Sequence, residues 1–366
     1  MAHAPRKQAH RQPDPLEPDL AKAGPALCRS VFADPRKRKA HANLLACMQA
    51  WPAWRQRPRR LERLEACGKS VAVLTVQQGK TVALSRRLCR DRLCPFCSAV
   101  KAEIVRDNLL PVVRQRHAQG GLFSLLTLTM AHGPKDPLSH TFAVLNEALR
   151  RFLRSSLFKR HVRGWALGIE VTHSAANGFH PHVHLLIEAG FWPLASLQKL
   201  WGRCLAKSGW RTGGRQGVHV MALQGDLRLG LREALGYSCK AADLARLGPG
   251  ELLELASVLR SRRLTRCCRA WSKAARRVAE QREQEASARD LAEGRLRVTA
   301  LGLSRMAAHA RYSREPEARE LRKSLPPVLE SLLELMALEP DLADEARRYR
   351  ALYGWLLSDD DRGRGP

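Results

Sequence analysis

The chain has 366 residues, 45% of them hydrophobic, enough apolar material for a full globular core and a second small unit. Sixty-three Lys and Arg against 35 Asp and Glu give a formal net charge of +28, which repels itself unless a polyanion neutralises it, so nucleic acid is the expected partner. No run of about 18 apolar residues occurs, and the first twenty residues are polar and proline-rich; both speak against a membrane span or a secretory signal, and the expectation is a cytoplasmic protein with reduced cysteines.

In chain order, residues 1–60 carry 13 basic and 4 acidic side chains and read as a mostly disordered N-terminal arm with one helix in HANLLACMQAW. Residues 61–100 form a Cys-rich module, in which strand-like runs VAVLTV and TVALS flank a QQGK turn and lead into Cys89-x4-Cys94-Pro-Phe-Cys97. With Cys67 before the hairpin, Cys89, Cys94 and Cys97 complete a four-thiolate set suited to a structural Zn²⁺, with Arg90 and Arg92 close by for DNA. The other cysteines, such as Cys204 and Cys239, lack ligand spacing and read as buried or unpaired thiols.

A helix from Lys101, interrupted near Pro111, is expected next. Over 101–275 the elements then alternate: strand 123–130, helix 138–158, strand 165–173, a SAANG turn, strand 179–188, helix 193–207, strand 217–224 and a helix through 228–247. This βαββαβα order predicts an α+β fold, a ferredoxin-like antiparallel sheet with helices on one face, which we take as the catalytic domain. Residues 276–366 carry 17 basic and 17 acidic side chains and read as a charge-neutral helical C-terminal region.

Two segments carry the chemistry. In Gly178-Phe-His-Pro-His-Val-His-Leu-Leu-Ile187, a strand places His180, His182 and His184 on one face and Val183, Leu185 and Ile187 on the other. A single strand histidine is ordinarily just a half-buried side chain. Three in five residues, preceded by a strand whose Glu170 points the same way, make a site for a divalent ion, with His182, His184 and Glu170 as ligands and open positions left on Mg²⁺ or Mn²⁺. His180 is the weakest of the three, because Pro181 distorts the strand start.

The second segment is Leu-Arg-Glu-Ala-Leu-Gly-Tyr-Ser-Cys-Lys, where Glu233, Tyr237 and Lys240 fall at i, i+4 and i+7 and share one face of the expected helix. Tyr237 can serve as nucleophile, Lys240 can stabilise phenolate or developing phosphorane charge, and Glu233 can act as a base on the phenol or on water. Taken alone, such a face is an ordinary exposed helix surface. Its place two elements downstream of the histidine strand makes it specific.

These segments resemble the replication initiators of small rolling-circle plasmids, in the HUH endonuclease superfamily. Phe123-Ser-Leu-Leu-Thr-Leu-Thr129 resembles the first motif, Gly178 to Ile187 the metal-binding second motif, and Tyr237-Ser-Cys-Lys240 the Tyr-x-x-Lys third motif, over roughly residues 60–275. The resemblance implies His182 and His184 as metal ligands, Tyr237 as nucleophile, Lys240 as motif lysine, and Glu233 as the carboxylate that activates water for the terminating cleavage. It implies a single-stranded or hairpin plasmid origin as DNA partner, with host replication proteins joining later. Ala241 departs from the aromatic that many relatives carry there. Other readings are a transposase or relaxase of the same superfamily, a histidine-triad nucleotide hydrolase built on His180-Pro-His182-Val-His184, and a zinc-containing DNA-binding repressor.

Overall fold

A computed structural model describes residues 25–52, 58–68, 71–77, 80–86, 88–210, 217–223, 225–236, 239–260, 262–292, 295–313, 315–338 and 342–357. The first elements are α1 (Pro25–Ala33), α2 (Pro35–Ala50), α3 (Pro58–Glu65), β1 (Val71–Gln77), β2 (Lys80–Arg86) and α4 (Pro95–Ala118). Next come β3 (Phe123–Leu128), α5 (Leu138–Arg154), α6 (Ser156–His161), β4 (Val162–Ser174), β5 (Gly178–Ala189), α7 (Leu194–Ala206), β6 (Val218–Ala222) and α8 (Leu227–Ala234). The chain continues through α9 (Ala241–Leu244), α10 (Pro249–Leu259), β7 (Thr265–Cys267), α11 (Arg269–Ala292), β8 (Arg295–Thr299), α12 (Ala300–Tyr312), α13 (Pro316–Ala337) and α14 (Ala343–Leu357). Two units result, one built mainly of Lys101–Asp243 and Gly250–Glu280, the other of Leu20–Val100, Leu244–Pro249 and Gln281–Pro366.

The first unit is α+β. Its five strands take the order β6-β3-β5-β4-β7, and each neighbouring pair is antiparallel. The alternation read from sequence is realised: Leu167, Ile169, Val183, Leu185 and Ile187 are at most 2% exposed on the face covered by α5 and α7. The opposite face is divided. At its Phe123 end, Leu125, Ala166 and Leu186 are sealed by Leu227, Leu231 and Ala234 of α8, Val105 and Leu109 of α4, and Trp271 of α11. Beyond them the same face turns polar with Thr127, Glu170, His182 and His184. Helices therefore lie on both faces rather than one, because α4 and α8 carry apolar stripes that can be buried only against this half of the sheet.

Two helix expectations are corrected. The α4 helix runs unbroken through Pro111. Burial of Leu109, Val112 and Val113 on either side of the proline outweighs the roughly 3 kcal/mol that an interior proline costs. The helix expected through 228–247 instead stops at Ala234, where Leu235 caps it by donating to Leu231 O at 2.9 Å, and helix resumes only at Ala241. Gly236 follows the cap, and a glycine inside a helix costs about 1 kcal/mol relative to alanine. Glu233 and Lys240 thus do not lie on one continuous helix, and Tyr237 lies outside the described residues.

In the second unit, β2, β1 and β8 form an antiparallel sheet in that order, with Val73–Gln77 paired to residues 295–299. The strand β8 lies in a region expected to be wholly helical. Leu303, Leu329, Leu332, Met336 and Tyr353 of α12, α13 and α14 build a core of their own. Where one helix was expected in the arm, α1 and α2 form, α2 starting at Asp34, whose carboxylate accepts from the Arg36 and Lys37 amides. Residues 1–24 of that arm lie outside the described residues. Among the described residues no helix is long and apolar enough to cross a membrane.

Candidate metal centres and the tyrosine segment

The β4–β5 register pairs Glu170 with His182 and Gly168 with His184, so three ligating side chains stand on one face. Glu170 Oε2 lies 3.6 Å from Nε2 of His182 and 3.6 Å from Nε2 of His184, and the two imidazole planes cross at 88°. All three donor atoms fit within 4.8 Å of one another. The far nitrogens are held. His182 Nδ1 donates to His180 O at 3.2 Å, which fixes the ring so that Nε2 faces the Glu170 carboxylate. His184 Nδ1 lies 3.1 Å from Thr127 Oγ1 on β3.

Burial, the largest single influence on Glu170, pushes its carboxyl up. His182 and His184, with Lys240 adding its charge, outweigh that and hold it below the usual carboxylate range. The carboxylate is therefore ionised and ready to bind a cation. Its Oε1 is buried without a hydrogen bond among the described residues, and Lys240 Nζ stands 3.2 Å away as an ion pair outside hydrogen-bond geometry. A buried, under-satisfied carboxylate oxygen beside two oriented imidazoles fits a hard divalent cation. His180 does not join this group. Burial above all, with His182 and His132 nearby, pushes its pKa down to about 4, and its Nδ1 bonds instead to His132 Nε2.

Lys240, the lysine of the Tyr-x-x-Lys segment, stands against Glu170. Tyr237 lies outside the described residues, so the segment is located by its ends. Upstream, the last turn of α8 presses on β4: a Cβ on Gly168 would sit 2.5 Å from Ala234 O, so only glycine admits this approach. Arg106 of α4 reaches Leu235 O at 3.5 Å, putting positive charge at the helix C-terminus. Downstream, Cys239 is buried and Lys240 meets Glu170. Glu233 is exposed on α8. Sequence reading missed Thr127 and Gly168. Both lie in the His184 row of the sheet, and only strand register could have marked them.

In the second unit, Cys67, Cys89, Cys94 and Cys97 converge as the spacing predicted. Cys67 Sγ lies 3.6 Å from Cys94 Sγ and 3.7 Å from Cys97 Sγ, and Cys89 Sγ lies 3.5 Å from Cys97 Sγ. The amide of Arg90 donates to Cys97 Sγ at 3.3 Å and that of Asp91 to Cys89 Sγ at 3.4 Å, while Arg90 takes a φ of 59° to make the turn. Asp91 is locked in turn by Arg60, whose Nη2 donates to Oδ1 at 2.9 Å. Burial first, and then the neighbouring thiols of Cys67, Cys89 and Cys97, push Cys94 well above the ordinary thiol range. The donor set fits one soft, tetrahedral metal ion.

With this geometry in view, the comparisons agree with the motifs. The replication protein family matches residues 80–315, which is more than half of the chain, and the chain belongs to that family. Over 157 residues the chain is 26% identical to the protein called Protein rep of Streptococcus pneumoniae serotype 2, covering 40% of this chain and 49% of that one. The chain thus spans about half the length of the curated relative it matches. No solved structure matches the chain. The resemblance to plasmid replication initiators is borne out at the level of family.

Proposed function

We propose that the protein initiates rolling-circle plasmid replication by nicking single-stranded DNA at a plasmid origin, presented as a single strand or hairpin, through a tyrosine-linked intermediate. The observation that carries this reading is the convergence of Glu170, His182 and His184 within 4.8 Å on one face of the sheet, with Lys240 of the tyrosine segment touching Glu170. The βαββαβ connectivity and the order β6-β3-β5-β4 support a ferredoxin-like HUH core. Host replication proteins would join after the nick, and the setting is cytoplasmic.

Glu170, His182 and His184 would hold Mg²⁺ or Mn²⁺, which supplies Lewis-acid polarisation of a non-bridging phosphate oxygen. The rest falls to the chain. The Tyr237 phenolate attacks phosphorus, a P–O bond to tyrosine forms and the bond to the 3′-oxygen breaks. The departing oxygen takes a proton and becomes a free 3′-hydroxyl for polymerase. Lys240 leaves Glu170 to stabilise charge on the phosphoryl group. At the end of the same round, Glu233 activates water so that termination does not need the occupied Tyr237. A Zn²⁺ on Cys67, Cys89, Cys94 and Cys97 would stabilise the second unit.

Family membership favours this over a transposase or relaxase. A histidine nucleophile is disfavoured, since the ring nitrogens of His182 and His184 are engaged with Glu170, His180 O and Thr127. The test is a nicking assay on plasmid carrying the protein's own origin, with denaturing gels to detect covalent adduct. Tyr237→Phe should bind DNA yet form no adduct, and Glu233→Gln should form the adduct but fail in release. An adduct in Tyr237→Phe would move the nucleophile elsewhere, and DNA binding without any cleavage by the wild type would favour a repressor.

A further inference from the structure

The β7 edge of the first unit carries a concentration of positive charge that the metal-type site does not use. From Arg260 to Arg277 the chain holds seven Arg, one Lys and no Asp or Glu. Arg260, Arg262, Arg263 and Arg269 are exposed. Charged residues along an edge strand ordinarily block its pairing with another sheet, and they do so from solvent at little cost. That accounts for the exposed arginines. It does not account for Arg266.

Arg266 pairs with Leu167 of β4, on the face of the sheet that α5 covers, and it is half-buried there. Its Nη2 donates to Asn146 Oδ1 of α5 at 2.6 Å, and its Nε donates to Arg263 O at 3.0 Å. Both acceptors are neutral. Where Arg60, Arg106 and Arg116 are drawn in from solvent, a carboxylate meets each of them: Asp91, Glu103 and Glu188 in turn. Among the described residues no carboxylate meets Arg266. Burial, and after it the charge of Arg263, push its guanidinium below the ordinary arginine pKa. A guanidinium withdrawn from water, aimed by two hydrogen bonds and left without a counter-charge is completed by an anion from outside.

The position of the site selects the anion. Thr265 pairs with Gly168, and Ile169 N donates to Leu264 O at 2.8 Å, so the edge segment runs beside the stretch of β4 that leads to Glu170. Glu170 lies three residues along β4 from the partner of Arg266, about 10 Å at the rise of a strand. We propose that Arg266 binds a backbone phosphate of the DNA flanking the scissile bond, at the edge of the sheet rather than on its metal-bearing face. The planar fork of a guanidinium matches two phosphate oxygens, and the exposed arginines beside it draw the polyanion in. This contact presupposes the nicking function argued above as the reason for DNA to be there, but needs neither the metal nor the tyrosine.

The experiment titrates the full chain with a fluorescent oligonucleotide of mixed sequence, single-stranded in one arm and closed as a hairpin in the other. EDTA is present throughout, so no cleavage intervenes, and affinity is followed against salt. Each phosphate contact contributes about 0.7 to the slope of log affinity on log salt for a single strand and about 0.9 for a duplex. Arg266→Met keeps the apolar stem and should lower the slope by about one such contact, whereas Arg266→Lys should keep most of it. Asn146→Asp sets a carboxylate against the guanidinium without removing it, and should cost the same slope with no loss of melting temperature. A merely structural Arg266 would leave DNA binding unchanged in that variant. Arg150→Met, one turn along α5, removes a charge already held by Glu147 at 2.7 and 2.6 Å and should leave the slope nearly unaltered. A loss in either arm upholds the contact, and the arm in which it appears tells whether single strand or stem is held. Wild-type slopes in both Arg266→Met and Asn146→Asp overturn it and leave the site to an acidic protein partner. An equal fall in Arg150→Met also overturns it, since the effect would then be a diffuse field. Failure of the nicking function would show elsewhere, as absent adduct in the Mn²⁺ assay, with these slopes still deciding the contact.

Discussion

Cys67, Cys89, Cys94 and Cys97 are at most 4% exposed and offer nothing but sulfur, whereas Glu170, His182 and His184 mix oxygen with nitrogen and keep an open side where Lys240 stands with 61% of its side chain exposed. Closed sets of soft ligands hold structural zinc, and mixed sets with a free position carry reactions. The supporting contacts differ in the same sense. Backbone amides of Arg90 and Asp91 brace the sulfurs through the chain itself. The imidazoles are oriented through a hydroxyl on the neighbouring strand and a carbonyl on their own. On the function proposed above, one cluster stays shut and the other admits a substrate.

The sharpest break between them should come from deleting each in turn. His182→Ala with His184→Ala should lower cleavage on the order of a thousandfold or more, since about 4 kcal/mol of transition-state stabilisation is at stake, while the melting temperature stays within a few degrees. Cys94→Ser with Cys97→Ser should do the reverse to stability, removing bound zinc and lowering the melting temperature by about 10 °C or more. Zinc content by mass spectrometry and melting by circular dichroism decide the matter. Equal melting temperatures would mean that the Cys set is not structural. Zinc retention should also rise with pH: Cys94 holds its proton more tightly than an ordinary thiol, so protons compete with the metal and acid releases it.

The contrast also explains what could be read in advance. The Cys set and the histidine face follow from local spacing and from the period of two, and both are in place. The Glu170–His182 pairing needed only the short SAANG hairpin, closed by Gly178 at a φ of 68°. What escaped is non-local. The strand β8 exists because Arg295–Thr299 finds an edge at Val73–Gln77, more than 200 residues earlier in the chain. The close approach of the last turn of α8 to β4 depends on the bare backbone at Gly168, and the Lys240–Glu170 pair joins two distant parts of the chain; a helical wheel contains neither.

Gly168 offers an intermediate effect. Gly168→Ala would put a methyl 2.5 Å from Ala234 O, so either α8 or β4 must shift. Overpacking of this kind costs about 1–3 kcal/mol. A displacement of about 1 Å in the segment leading to Tyr237 should lower adduct formation roughly a hundredfold. Metal binding, carried by side chains on β4 and β5, should change much less. Loss of metal affinity as large as the loss of adduct would show that the residue supports the ligands rather than the tyrosine segment.

The smallest expected effect, and the finest probe of the open cluster, is at Thr127. Its Oγ1 lies 3.1 Å from His184 Nδ1, and Thr127→Val keeps shape while removing that partner. The imidazole then loses what fixes its ring angle and tautomer, and such outer contacts are worth about 10–100-fold in metal affinity. Cleavage at low Mn²⁺ should fall accordingly, yet return to the wild-type rate once Mn²⁺ is raised to saturation, because no ligand and no reacting group has been removed. His184→Ala would not recover in this way. A Thr127→Val protein that stays impaired at saturating metal would place the hydroxyl against substrate instead, and the row joining β3 to β5 would then be part of the DNA path rather than the scaffold of the metal site.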